Sequence, residues 1–128
     1  RPVNELNFKL TQIGIVMLGV TNTARSIAYY RDKLGLALKG QNEGFAFLDG
    51  GGVTLCLSEA LARVSNPVAG ATELVFSVED VRAAHEALAA RGVEFTHEPR
   101  NVTGPLWAAN FNDPDGHKLS VFGPERKA

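Results

Sequence analysis

One supersecondary unit is used twice along this chain, and that repetition restricts the fold more than any other feature. Residues 13–20 (IGIVMLGV) are a short apolar run suited to a buried strand. Asn22 or Thr23 can cap a following helix, Ile27, Tyr30 and Leu34 recur at helical spacing, and Gly35 can stop it. A strand begins at 36–38, and strand-like runs at 45–48 and 53–57 flank Asp49, Gly50, Gly51 and Gly52, a hairpin signal. The same order then returns. Residues 73–78 (ELVFSV) read as a strand, Asp80 caps a helix with Val81, Ala84 and Leu88 on its buried stripe, and Gly92 ends it. A strand starts at 93–95, 98–105 read as a loop, and strands at 107–111 and 117–122 flank the turn Asp113, Pro114, Asp115, Gly116.

A unit ordered β, α, β, β, β covers one sheet face with its helix and must bury the other. The expected fold is therefore α+β: two tandem βαβββ modules forming a curved mixed sheet around a concave pocket, closed within the chain or across a homodimer. Module one spans about 11–58, a connector 59–71 and module two 72–124, within one domain over 1–128. A chain of 128 residues buries a core of this size without disulfides. With 45% hydrophobic and 21% charged residues and a net charge of -1, it has neither the composition of a disordered chain nor the basic excess of a nucleic-acid binder. No run approaches the roughly 18 apolar residues of a membrane span. Cys56 is the only cysteine, which rules out an internal disulfide and suits a reducing cytoplasm. The expected partner is a small organic molecule or a second copy, with no nucleic acid and no membrane.

Setting the halves against each other pairs Ile15 with Glu73 in the first strands and Cys56 with Ser120 in the last. If Leu55, Leu57, Leu119 and Val121 meet the helices, alternation puts Thr54, Cys56, Ser58, Lys118, Ser120 and Phe122 on the concave side. Ile13, Ile15, Met17, Glu73, Val75 and Ser77 join them there from the first strands. In the hairpin strand, either Trp107, Ala109 and Phe111 or Ala108, Asn110 and Asn112 face the cup, and Trp107 could offer a stacking surface. Tyr29 and Tyr30 lie about 100° apart on a helix, so at most one is expected to be well buried.

Two segments carry a resemblance to a known family: VTNTARSIAYYRDKLGL at 20–36 and DPDGHKL at 113–119. With the repeated βαβββ order, the chain resembles the vicinal oxygen chelate superfamily, the glyoxalase, bleomycin-resistance and extradiol dioxygenase group. The resemblance implies that metal-dependent members place a His, Gln or Glu on the first strand and a Glu on the last strand of each half. Those positions fall on Ile15, Cys56, Glu73 and Ser120. Only Glu73 is an ordinary ligand for a hard or borderline cation, because Ile15 cannot coordinate, a neutral hydroxyl is weak, and a thiol suits softer metals. The placement of His85, His97 and His117 does not replace the missing ligands. Neither a metal nor a cofactor is expected.

The leading expectation is a metal-independent small-molecule binding protein of the glyoxalase and bleomycin-resistance type, sequestering an antibiotic-like or aromatic ligand. Its expected ligand-binding residues are Ile15, Met17, Cys56, Glu73, Trp107, Lys118 and Ser120. The alternative is a lyase or isomerase of the glyoxalase superfamily, metal-free with Glu73 as the catalytic base or, less in keeping with the residues, metal-dependent. A third reading is a structural or regulatory module whose cup is filled by side chains.

Overall fold

The computed structural model describes residues 8–65 and 72–126. Module one supplies β1 (Ile15–Gly19), β2 (Leu38–Asn42), β3 (Phe45–Asp49) and β4 (Thr54–Ser58), ordered β1-β4-β3-β2. Module two supplies β5 (Glu73–Ser77), β6 (Phe95–Thr103), β7 (Leu106–Asn112) and β8 (Lys118–Pro124), ordered β5-β8-β7-β6. Each sheet is mixed, with its first and last strands parallel and its other pairs antiparallel. The fold is α+β with two tandem modules, and the repeat extends to register. Ile15 lies opposite Thr54 and Met17 opposite Cys56, just as Glu73 lies opposite Lys118 and Val75 opposite Ser120.

Alternation then sorts the side chains. Leu55, Leu57, Leu119 and Val121 enter one core with Leu18, Leu48, Ala109 and Phe111, joined by Ile27, Tyr30, Val81 and Leu88 from the helices. This core contains residues of both modules, so the helix-covered faces pack toward each other and the opposite faces turn outward. Within the chain the two sheets do not share a strand pairing. Among the described residues, Ile15, Met17, Glu73 and Val75 on those outer faces are exposed.

Asn22 caps α1 (Thr23–Ile27) by accepting from the Arg25 N–H, and the helix widens into a π-helical segment, Ala28–Lys33. Contrary to the expectation that one tyrosine stays exposed, Tyr29 and Tyr30 are both buried. Module two covers the flank that an isolated helix would show to water. The Tyr29 hydroxyl donates to the Asn112 carbonyl at 3.0 Å and the Tyr30 hydroxyl to Asp113 Oδ2 at 2.7 Å. Asp80 caps α3 (Val81–Ala90) through bonds from the Arg82 and Ala83 N–H groups. Ser58 caps α2 (Glu59–Val64), which occupies the start of the connector, while Asn66 and Pro67 lie outside the described residues.

The turn between β7 and β8 is the clasp between modules. Asp113 Oδ1 accepts from the Asp115 and His117 N–H groups at 2.9 and 2.8 Å, and Gly116 takes φ +87°, a value that costs glycine little. Asp115 Oδ1 accepts from the Thr21 N–H and hydroxyl and pairs with Arg25 at 3.1 Å. His117 Nε2 donates to the Gly19 carbonyl at 2.7 Å. The turn that joins the last two strands thus also binds the first module to the second. The expected loop at 98–105 is corrected: β6 continues through Thr103, leaving a tight turn at Gly104 and Pro105. An edge strand tolerates Pro99, since one of its sides has no ladder to complete. Among the described residues, no helix is long and apolar enough to cross a membrane.

Candidate functional site

The outward face of the second sheet brings polar side chains from all four of its strands together. Glu73, on edge strand β5, is exposed, and its Oε2 accepts a bond from the Ser120 hydroxyl at 2.7 Å. Ser120 sits one strand in and is only 2% exposed. A buried hydroxyl needs a partner, and the carboxylate above it is that partner. Ser120 therefore holds Glu73 instead of presenting its own oxygen outward. Lys118, directly opposite Glu73 in register, is exposed; among the described residues no ion pair joins the two.

A hollow of about 220 Å³ opens beside this pair, lined by Glu73, Thr96, His97, Arg100, Asn110 and Lys118, among others. The register of β7 settles which hairpin residues share this face. Asn110 lies opposite Ser120 and Ala108 opposite Phe122, so Ala108, Asn110 and Asn112 point outward. Trp107 is corrected accordingly: it lies on the opposite face, packed against the core, and is not positioned to stack on a molecule held by Glu73.

Thr96 and Arg100 are not among the residues expected at a site, Arg100 because 98–105 has the character of a loop, and His97 enters only as a metal ligand that the pattern does not support. The strand that carries them is bulged. Phe95 pairs with Phe111, His97 with Asn110 and Arg100 with Ala108, so two residues of β6 face one of β7, and then three face two. A bulge re-aims the side chains beyond it. His97 and Arg100, three positions apart and on opposite faces of a regular strand, both come to lie opposite outward-facing residues. The sequence signal was Pro99 soon after the strand start at 93–95, since proline inside a strand marks an edge or a bulge. Arg100 Nη1 donates to Asn110 Oδ1 at 2.6 Å.

Ile15, Met17 and Cys56 belong to the other sheet. Ile15 and Met17 are exposed apolar side chains there, 55% and 47% accessible. Cys56 is corrected: it is fully buried and so has no surface to offer a ligand, and burial pushes its thiol up from the ordinary cysteine range. Ser58 is likewise used to cap α2. A second hollow of about 220 Å³ lies on the helix side between Leu34, Leu36, Phe76 and Leu88; every side chain lining it is apolar.

The positions that hold metal in metal-dependent vicinal oxygen chelate proteins are split between the sheets, Ile15 and Cys56 in one, Glu73 and Ser120 in the other. Among the described residues, no group of three or more His, Cys, Asp and Glu side chains is arranged to hold an ion. One carboxylate, one hydroxyl and one buried thiol do not make the oxygen and nitrogen donor set of such a centre. The residues present do not fit the group.

The sequence model of the Glyoxalase/Bleomycin resistance protein/Dioxygenase superfamily matches residues 12–121. The chain is 28% identical over 116 residues to a protein of Serratia marcescens named glutathione transferase FosA, a match covering 88% of this chain and 80% of that one. Its fold superposes on a glyoxalase/bleomycin resistance protein/dioxygenase from Nocardioides with a TM-score of 0.80 at 24% identity, covering 97% of this chain and 90% of that one. It also superposes on TnmS3, an antibiotic binding protein from Streptomyces sp. CB03234, with a TM-score of 0.77 at 21% identity, covering 93% and 100%. The chain belongs to the Glyoxalase/Bleomycin resistance protein/Dioxygenase superfamily.

Proposed function

We propose that this protein is a metal-independent binder of small organic molecules, antibiotic-like or aromatic, on the open face of its second module. The observation that carries the reading is the Glu73 and Ser120 pair. At two positions where metal-dependent members place ligands, a carboxylate is held by a neighbouring hydroxyl at 2.7 Å. That arrangement fixes the orientation of a hydrogen-bond acceptor beside a hollow of about 220 Å³. Glu73 and Lys118 orient the molecule, Ser120 positions Glu73, and apolar area on Val75 and Phe122 supplies burial. That TnmS3, a protein of the same fold, is an antibiotic binding protein supports a binding role for this one.

The binder works as a homodimer in the cytoplasm. The outward faces carry Ile13, Ile15, Met17 and Val75 at 73%, 55%, 47% and 53% exposure, on or beside the edge strands β1 and β5. Exposed apolar residues at unpaired edges favour pairing with another copy. Ile15 and Met17 then come to a ligand from the partner's first module. Light scattering at micromolar concentration is expected to give twice the chain mass. A monomer there removes Ile15 and Met17 from the site.

Catalysis by Glu73 as a metal-free base is the rival. It predicts turnover that Glu73→Gln abolishes with binding intact; sequestration predicts that binding itself weakens. The test of the main reading is a thermal-shift screen of chelator-treated protein against aromatic and antibiotic-like compounds, with hits mapped by amide NMR. Stabilising compounds that perturb Val75, Ala108 and Phe122 are expected. Hits that map elsewhere, or that appear only when a divalent metal is restored, overturn it.

A further inference from the structure

We infer that the hollow on the open face of module two recognises an organic anion, with Arg100 and Asn110 as its anion-binding pair. This rests on the proposed binding role of that face and names the charge of what it binds. The charged and titratable groups that line the hollow are Arg100, Lys118, His97 and Glu73. Among the described residues that line it, Glu73 is the one acid, and it already has an oxygen engaged by Ser120. The sheet order puts Glu73 and Arg100 on opposite edges, on the order of 14 Å apart at the backbone given the usual strand spacing. Lys118 stands between them, on β8.

Strand β6 separates its charges by face. Its bulges bring His97 and Arg100 to the open side, opposite Asn110 and Ala108. Glu98, between them in sequence, instead reaches His85 on α3 at 3.3 Å. A regular strand would put 97 and 100 on different faces, so the bulged register is what gathers positive charge here.

The Arg100 and Asn110 bond prepares both partners. Nη1 of Arg100 gives a hydrogen to Asn110 Oδ1 at 2.6 Å, which anchors one corner of the guanidinium and leaves other N–H donors for a ligand. With its oxygen engaged, the Asn110 amide has its two N–H donors to offer. Thr96 and Asn112 add polar groups along the same wall. A donor-rich corner built on a guanidinium suits a planar, two-oxygen acceptor such as a carboxylate. The remainder of the molecule lies along the hollow toward Asn112 and Lys118.

The test uses three probes of one shape and different charge: benzoate, benzamide and benzamidine. Amide NMR titrations follow Thr96, Asn110 and Lys118, which line the hollow, in wild type, Arg100→Gln and Arg100→Lys. Benzoate is expected to bind about tenfold more tightly than benzamide, the scale of one charge-assisted bond at a half-open site, and benzamidine most weakly. Arg100→Gln is expected to erase the preference for benzoate, and Arg100→Lys to keep part of it through charge without the fork. If benzamide or benzamidine perturbs those amides at the same concentration as benzoate, the anion assignment falls while the binding face stands. Equal benzoate affinity in wild type and Arg100→Gln also overturns it. If none of the three probes moves those amides, both the assignment and the binding face are wrong.

Discussion

Replacing Tyr30 with Phe removes one oxygen and keeps the ring, so it isolates a single bond of the clasp between modules. The Tyr30 hydroxyl donates to Asp113 Oδ2 at 2.7 Å, and both residues are buried. The two N–H bonds to Asp113 fall on Oδ1, so the substitution takes from Oδ2 the side-chain donor it has. A hydrogen bond to a charged group contributes about 2 kcal/mol net, and a buried acceptor left bare is costly. At about 2 cal/mol/K of unfolding entropy per residue, a chain of 128 residues loses about 8 °C of Tm for that change. Tyr29→Phe is the internal control, because its hydroxyl donates at 3.0 Å to the neutral carbonyl of Asn112 and is expected to cost about 1 kcal/mol. Urea unfolding gives both values through the shift in midpoint at constant slope. A Tyr29→Phe loss equal to or larger than that of Tyr30→Phe refutes the assignment of the stronger bond to the charged carboxylate. So does a Tyr30→Phe loss that is unchanged when Asp113 is already Asn.

Gly123→Ala is expected to destabilise by at least about 2 kcal/mol in the same assay, since an added Cβ lies 2.1 Å from the Val78 carbonyl oxygen and the backbone must move. Burial and then the charge of Asp113 push the Tyr29 hydroxyl up to about 12, and the same causes raise Tyr30 as well. Because the folded state favours the neutral phenols, this contribution is full below the ordinary tyrosine value of about 10. It is lost as the pH rises from there toward about 12 and beyond, so urea midpoints should fall over that window, and less steeply in Tyr30→Phe. The Cys56 thiol is fully buried with its ionisation suppressed, so a colorimetric thiol reagent should react with it only after denaturation.

The duplicated order of elements was legible because turn residues punctuate each half at the same places. Asn22 and Asp80 cap their helices, Gly35 and Gly92 follow them, and an Asp-led turn joins the last two strands of each half. Strand alternation, once anchored on Leu55 and Leu119, also placed Glu73, Ser120 and Lys118 on one face. What periodicity could not deliver was anything set by contact between modules. The burial of both tyrosines depends on Asn112 and Asp113, more than 80 positions away. Which face Trp107 takes depends on its pairing with Gly123, and no local pattern encodes that. Arg100, and the face that His97 serves, were missed because a bulge breaks the period of two on which a strand is recognised and changes the face beyond it. Cys56 had the right parity but the wrong depth: parity assigns a face, while neighbouring side chains decide whether an atom on that face reaches solvent.

Binding without metal is tested most directly by calorimetric titration of benzoate into the chelator-treated protein, repeated after Mn²⁺ is restored, for wild type and Glu73→Gln. The expected result is the same affinity with and without the ion in wild type, and an affinity in Glu73→Gln that the ion likewise does not change. Benzoate binding that appears only with Mn²⁺, together with one Mn²⁺ held per chain in wild type and lost in Glu73→Gln, contradicts it.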